Sequence, residues 1–201
     1  MSTDSEIIRR SIEQPRAFAE LFDRHARVIG GFAARRVGSE AAEDVVSETF
    51  LVAFRRRASF DQAVESSVPW LLGIASRLTR KHRAQEAKNW RSIQATADQR
   101  IDHSHDGTEP VIARLDAASS TRQLAPLIAA LSPKDRETLL LYAWGDLTYE
   151  EVASALGVPV GTVRSRLNRV RRRLDPGRSA RMEQQSNEKE GEVDGRVGTR
   201  A

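Results

Sequence analysis

The sequence predicts an all-α protein built from two small helical domains joined by a flexible linker. Apolar residues recur with helical spacing along most of the chain, and no run of alternating β-branched residues bounded by turns indicates a strand. A polar stretch near the middle has no apolar period and separates two helical parts. The predicted boundaries are 1–94 for the first domain, 95–112 for the linker and 113–176 for the second domain, followed by a disordered tail over 177–201.

Three helices are predicted in the first domain. The first begins near Pro15 and ends at Gly38, because its apolar residues stay on one face up to that glycine. The second opens at Ser39 and carries acids in its early turns and arginines in its last, an order that the helix dipole favours. The third begins around Pro69, buries its apolar residues and leaves its basic residues outside.

In the second domain, residues that typically begin and end helices predict a helix-turn-helix. Ser132 is an N-cap for a helix that begins at a proline and stops at Gly145. Thr148 and Glu151 form a capping box for a short helix, and Gly157 stands where a helix ends in the left-handed conformation. A second helix then starts after a three-residue turn, which is the helix-turn-helix layout.

Composition excludes several classes of protein. The 201 residues contain no cysteine, which rules out a disulfide framework, a thiol nucleophile and a cysteine-ligated zinc within this chain. No apolar run approaches the roughly 20 residues that span a bilayer, and the first residues lack the apolar core of a secretory signal. The expectation is a soluble, cytoplasmic protein with no membrane insertion.

Positive charge is concentrated in two segments. The formal net charge is +4, but residues 160–174 carry +6, residues 77–91 carry +5, and the remainder of the chain carries −7. Two dense basic segments on an otherwise acidic protein are the electrostatic pattern of a polyanion binder with two points of contact.

The last predicted helix divides cleanly into two faces. At 100° per residue, Val163, Leu167 and Val170 share a narrow stripe that faces the core. The opposite face presents Arg, Asn and Ser side chains, which suit the edges of guanine and adenine and the phosphates of a DNA major groove. This outward face comprises Arg164, Ser165, Asn168, Arg169 and Arg172, with Arg166, Arg171 and Arg173 on its flanks.

Three blocks of sequence resemble bacterial sigma factors of the sigma-70 family. The segment GTVRSRLNRVRRRL over 161–174, preceded by LSPKDRETLLL over 131–141, resembles region 4. AEDVVSETFLVAF over 42–54 resembles region 2.2, and VPWLLGIASRLTRKHR over 68–83 resembles the helix of regions 2.3 and 2.4. No block resembles region 1.1 or region 3 of the larger sigma factors, which favours the extracytoplasmic-function (ECF) group.

The resemblance implies a dissociable subunit of RNA polymerase that directs promoter-specific initiation and is not itself a catalyst. It implies that region 2 docks on the β′ clamp helices of the core enzyme through Asp44, Ser47 and Glu48, although the family usually has Gln at position 47. Their i, i+3, i+4 spacing puts the three on one helical face. Region 4 is expected to meet the β flap. An anti-sigma factor typically holds members of the group inactive, and the free protein is expected to be a monomer.

The resemblance also assigns the two DNA contacts. Region 4 reads the −35 element as duplex, which implies contacts from Arg164, Ser165, Arg166, Asn168, Arg169 and Arg172. Region 2 melts the −10 element and captures a flipped base, with the loop 59–68 as a further candidate. The −10 contacts implied are Trp70, Arg77, Arg80, Lys81 and Arg83, although the family commonly has Asn at position 77.

Two alternative functions remain open at this point. A stand-alone helix-turn-helix regulator would bind a promoter without polymerase, usually as a dimer, but would leave the first domain unexplained. An enzyme acting on nucleic acid would need a metal or catalytic site, for which the DHSHD sequence over 102–106 offers the only cluster. Because that cluster sits in the predicted linker without rigid support, we expect no catalytic residue, no metal site and no cofactor.

Overall fold

The computed structural model describes residues 2–97, 124 and 126–174 of the chain. All regular structure in these residues is helical, which confirms the predicted all-α class. The helices are α1 (Asp4–Glu13), α2 (Ala19–Val37), α3 (Ser39–Arg56), α4 (Val68–Ala97), α5 (Pro133–Trp144), α6 (Tyr149–Leu156) and α7 (Val160–Leu174). Short 3-10 turns occupy Pro15–Phe18 and Arg57–Ser59. Residues 98–112 of the predicted linker, the DHSHD cluster and the predicted tail from 177 lie outside the described residues.

Helices α2 and α3 form an antiparallel pair around a single connecting glycine. Gly38 has a φ of 87°, a backbone conformation that side chains with a Cβ rarely adopt, and this allows α3 to begin two residues after α2 ends. Aromatic rings meet along the pair, with Phe18 on Phe54 and Phe22 on Phe50 at centroid distances of 5.4 and 4.9 Å. Helix α4 packs across both and completes the first bundle.

Helix α1 is an element that apolar spacing did not reveal. No helix is predicted before Pro15, yet Thr3 and Glu6 form a capping box that opens α1, and Ile7 and Ile8 are fully buried. The capping box and the two isoleucines were the available signals. They span too few turns to show a helical period, so the spacing of apolar residues does not predict this helix.

The second half forms the predicted helix-turn-helix. The Ser132 hydroxyl accepts a hydrogen bond from the Asp135 amide at the start of α5, and Thr148 and Glu151 form the capping box of α6. Gly157 ends α6 in the left-handed conformation with a φ of 65°. Val163, Leu167 and Val170 of α7 are buried, as their positions around the helix at 100° per residue predict.

The two halves pack directly against each other. Helix α4 lies on α6 so closely that a Cβ on Gly73 would overlap the carbonyl oxygen of Ala155 and lie 3.1 Å from its carbonyl carbon. A buried ion pair joins Arg36 of α2 to Glu137 of α5, and the apolar core continues from one half into the other. Among the described residues, no helix combines the length and apolar character needed to cross a membrane.

Candidate nucleic-acid interface

Helix α7 presents its predicted DNA-reading face to solvent. Its buried stripe anchors it to α5 and α6, and the side chains of the opposite face are exposed. The exposed members are Arg164, Ser165, Asn168, Arg169 and Arg172, whereas Arg166 is half-buried. The Ser165 hydroxyl donates to the Thr162 carbonyl oxygen at 3.0 Å, so the helix backbone already holds its proton. This face offers guanidinium and amide groups in the arrangement that duplex readout uses.

Three arginines of α7 are tethered to the helices beneath. Arg169 binds the carboxylate of Asp135, with 3.0 Å between Nη2 and Oδ1 and 3.4 Å between Nε and Oδ2. Arg171 donates to the Tyr149 hydroxyl at 2.7 Å, and Arg166 contacts the Thr138 hydroxyl at 3.4 Å. The charge count predicts six arginines without an acid inside α7, but the fold supplies a balancing acid from α5, 34 residues earlier in the chain.

Asp135 is a carboxylate held in its charged form. Burial by itself would raise its pKa, but the hydrogen bonds from the Arg169 side chain and at Ser132, together with the charges of Arg169 and Arg166, lower the pKa below its ordinary value. Its side chain is only 5% exposed. The lowered pKa favours a negative charge on Asp135, beneath the outward face of α7.

Helix α4 divides the predicted −10 residues between two faces. Arg77, Arg80 and Lys81 are exposed, and Trp70 is half-buried with its ring 5.1 Å from that of Phe60. Because Trp70, Arg77 and Lys81 are spaced by seven and four residues, they follow one face of the helix. Arg83 is six residues beyond Arg77 and lies on another side of the helix.

Arg83 is partly buried near charged residues of both halves of the molecule. Burial lowers its pKa, and the positive charges of Arg36 and Arg136 lower it further. Arg136 belongs to α5 and Arg36 to the buried ion pair between the halves, so Arg83 lies at the junction. In this arrangement the structure groups Trp70, Arg77, Arg80 and Lys81, and it does not bring Arg83 to the same surface.

One further arginine joins the basic surface of α4. Although Arg77 is exposed, partial desolvation lowers its pKa, and the charges of Arg56 and Arg80 lower it further, which places Arg56 close to Arg77. Arg56 is exposed in the last turn of α3. The sequence left open whether Arg56 and Arg57 extend the basic surface or only cap the helix, and the proximity of Arg56 to Arg77 favours the first alternative for Arg56.

The predicted polymerase-docking residues share an exposed face of α3. Asp44, Ser47 and Glu48 are all exposed. The same row continues one turn further with Leu51, whose side chain leaves this residue 47% exposed. An apolar side chain in this position adds contact area to a polar face, and its spacing of three residues from Glu48 was a signal in the sequence.

Comparisons with known proteins match both halves. "Sigma-70 region 2" matches residues 21–89, and "Sigma-70, region 4" matches residues 121–174. The RNA polymerase sigma factor CarQ of Myxococcus xanthus is 31% identical over 156 residues, which cover 76% of this chain and 84% of that protein. The ECF RNA polymerase sigma factor SigK of Mycobacterium tuberculosis (strain ATCC 25618 / H37Rv) is 28% identical over 179 residues, which cover 87% of this chain and 93% of that protein.

Two solved structures share the fold at 22% sequence identity. CnrH in complex with the cytosolic domain of CnrY has a TM-score of 0.59 and covers 88% of this chain and 97% of its own. The sigma factor RpoE in complex with the anti-sigma factor NepR from Bartonella quintana has a TM-score of 0.51, covering 79% and 94%. The match to region 2 accounts for the half of the chain that a stand-alone regulator would leave unexplained. The chain therefore belongs to the sigma-70 family and is an RNA polymerase sigma factor of the ECF group.

Proposed function

We propose that this sigma factor recruits core RNA polymerase through α3 and recognises promoters with two separate DNA surfaces. The observation that carries the proposal is the outward face of α7, which is rich in arginine, exposed and backed by a buried stripe. By its match to region 4, this face reads the −35 element in the major groove. The proposed contacts are Arg164, Ser165, Arg166, Asn168, Arg169 and Arg172.

The second DNA surface is proposed to hold the melted −10 element. Trp70 lies two turns from Arg77 on the same face of α4, and an aromatic ring and cations on one face suit stacked bases and a single-stranded backbone. The loop 59–68 leads directly into α4 and is proposed to form the other side of this binding surface. Arg77, Arg80 and Lys81 are the proposed phosphate contacts, supplemented by Arg56. Arg83 reaches DNA only if the two halves separate.

Docking on core polymerase is proposed to use the row Asp44, Ser47, Glu48 and Leu51 of α3. Two carboxylates flanked by a hydroxyl and an exposed leucine suit a helical partner with basic and apolar side chains, and the family resemblance identifies this partner as the β′ clamp helices. Region 4 is proposed to bind the β flap. An anti-sigma factor is the proposed inhibitor, and the site of action is the cytoplasm.

Run-off transcription tests the proposal. Core RNA polymerase is combined with promoter fragments from the source genome, beginning with the region upstream of the gene itself, with and without the full-length protein. We expect transcripts that require both polymerase and this protein. Protein that retards specific duplex DNA alone, without any transcript on addition of polymerase, would support the stand-alone regulator instead.

The docking face is tested by Asp44→Arg in the same assay. Reversing this charge places a cation against a basic partner, so transcripts should fall more than about tenfold, because like charges at an interface cost several kcal/mol. Asp23→Arg is the matched control, since Asp23 is an exposed aspartate on α2 outside the row. Circular dichroism should show both variants folded. Equal transcription by both variants would contradict docking through α3.

A further inference from the structure

The ion pair between Asp135 and Arg169 fixes the orientation of one guanidinium on the DNA-reading face. Asp135 lies in the first turn of α5, where the Ser132 hydroxyl accepts from its amide. Its two carboxylate oxygens take the Nε and Nη2 sides of the Arg169 guanidinium, at 3.4 and 3.0 Å. An arginine held along this edge by a buried carboxylate cannot swing freely among its rotamers.

The opposite edge of the same guanidinium stays open. Arg169 has five N–H donors, and the carboxylate engages only the side formed by Nε and one hydrogen of Nη2. The outer pair, one hydrogen from each terminal nitrogen, remains available, and the side chain is 56% exposed. This pair has the fork geometry that matches two neighbouring acceptors.

Three other arginines of α7, Arg164, Arg166 and Arg171, are not held by a carboxylate in this way. Arg164 is exposed on the same face, and within the described part of the chain it has no partner that fixes its head group. Arg171 and Arg166 are held through hydroxyl groups, which accept one contact each and leave the guanidinium free to rotate. Of Arg166, Arg169 and Arg171, Arg169 is the one bound by a carboxylate through both of its oxygens.

We propose that Asp135 is a positioning residue for promoter recognition, because it orients Arg169 so that the open edge of its guanidinium meets a pair of acceptors on the −35 duplex. The acceptor pair is O6 and N7 of a guanine or two phosphate oxygens. The inference rests on the proposed function, in which α7 reads duplex DNA. Orientation before binding lowers the entropy lost on contact, which strengthens the contact without adding a new one.

A purely electrostatic role for Asp135 and a positioning role predict opposite changes in DNA affinity when its carboxylate is removed. Removing a carboxylate near a DNA-binding face reduces repulsion from phosphates, so a purely electrostatic role predicts tighter binding by Asp135→Asn. The positioning role predicts weaker and less selective binding. Glu150→Gln is the matched control, because Glu150 is an exposed acid of the same half and its replacement changes the charge equally.

The experiment selects promoter duplexes from a pool randomised across the −35 element. The full-length protein is bound to core RNA polymerase, and base preference is read by sequencing for wild type, Asp135→Asn, Arg169→Gln, the double variant and Glu150→Gln. We expect Asp135→Asn to lose about five- to tenfold in affinity for the wild-type selected duplex, Arg169→Gln to lose at least as much, and the double variant to lose no more than Arg169→Gln. Preference lost at one base pair identifies a guanine contact, and uniform loss identifies phosphate contacts.

Arg169→Lys tests the positioning role without depending on correct folding of Asp135→Asn. Lysine keeps the charge of this exposed side chain but lacks the fork, so it should match the loss seen with Asp135→Asn while the thermal unfolding midpoint is retained. Selection of no sequence by wild type would contradict the proposed function itself. Wild-type selection combined with unchanged or tighter binding by Asp135→Asn, or with an equal effect of that change in the Arg169→Gln background, would overturn the positioning role alone.

Discussion

At the scale of single residues, a buried carboxylate ties the first helix to the fourth. Oδ2 of Asp4 accepts hydrogen bonds from the amide and hydroxyl of Ser67 at 2.9 and 2.8 Å and lies 2.7 Å from Nε2 of His25. Arg24 contacts Oδ1 at 3.3 Å. Burial alone would raise the pKa of Asp4, but the Ser67 bonds and His25 outweigh it, so the pKa lies below the ordinary value of 3.8.

Because the pKa of Asp4 is lower in the folded than in the unfolded chain, its contribution to stability is complete above pH 3.8 and disappears as the pH falls through the folded value. We expect Asp4→Asn to reduce the free energy of unfolding at pH 7 by about 1–3 kcal/mol, since hydrogen bonds to a charged group are lost. Urea titrations at pH 7 and in strong acid should show the difference from wild type shrinking in acid. Asp23→Asn, at an exposed carboxyl, should change little. A difference independent of pH would contradict this role.

At the scale of elements, two helical glycines have opposite effects on the stability of the fold. Gly31 lies in the interior of α2, where an added Cβ would meet nothing within 4 Å. Gly73 lies in α4, where an added Cβ would overlap the backbone of Ala155. Sequence alone assigns both glycines the same intrinsic cost of about 1 kcal/mol relative to alanine. The packing of α4 on α6 makes one of them necessary.

Alanine at each glycine separates these two roles. Gly31→Ala should stabilise the protein by up to about 1 kcal/mol, because it adds helix propensity without a contact. Gly73→Ala should destabilise it by about 1–3 kcal/mol, because the backbone of α6 must move away from α4. The free energy of unfolding from urea titration measures both. Stabilisation by Gly73→Ala would show that the two helices are not in contact in solution.

At the scale of the whole molecule, direct contacts between the two halves hold the two proposed DNA surfaces in one arrangement. The names of the −35 and −10 elements place them 25 base pairs apart, about 85 Å at a rise of 3.4 Å per pair. In the structure α4 touches α6, and Arg36 binds Glu137 through two bonds of 2.8 Å with its side chain 3% exposed. Arg36 also donates to the Ser76 hydroxyl at 3.1 Å. Because the two elements lie this far apart along a duplex, we expect the halves to separate when both proposed surfaces bind promoter DNA.

Loss of the ion pair should shift the molecule toward the separated form. Glu137→Gln leaves the buried Arg36 without a carboxylate, which weakens the closed arrangement by about 3 kcal/mol. Because the chain has no cysteine, Ala58→Cys and Asn168→Cys place one fluorophore on each half. Energy transfer should fall in Glu137→Gln and stay at the wild-type level in Glu150→Gln. Unchanged transfer in Glu137→Gln would contradict a role for the pair in closure.

The sequence by itself determined the helices with long apolar periods, the helix-turn-helix with its caps, the outward face of α7 and the family. Signals of this kind are local, because a cap or a helical stripe is complete within a few turns of chain. Helix α1 was missed because its signal is a single capping box and two isoleucines. The roles assigned to individual site residues remain predictions.

Only the tertiary structure decided which distant residues meet. Arg36 finds Glu137 across 101 positions, Asp4 finds Ser67 across 63, and Asp135 finds Arg169 across 34. The same packing turns Arg83 toward the junction and leaves Arg77 outside, although both belong to one basic segment. Such pairings depend on how whole helix faces fit together, so no local pattern encodes them. Here they determine which charges lie at the surface and which are held within the fold.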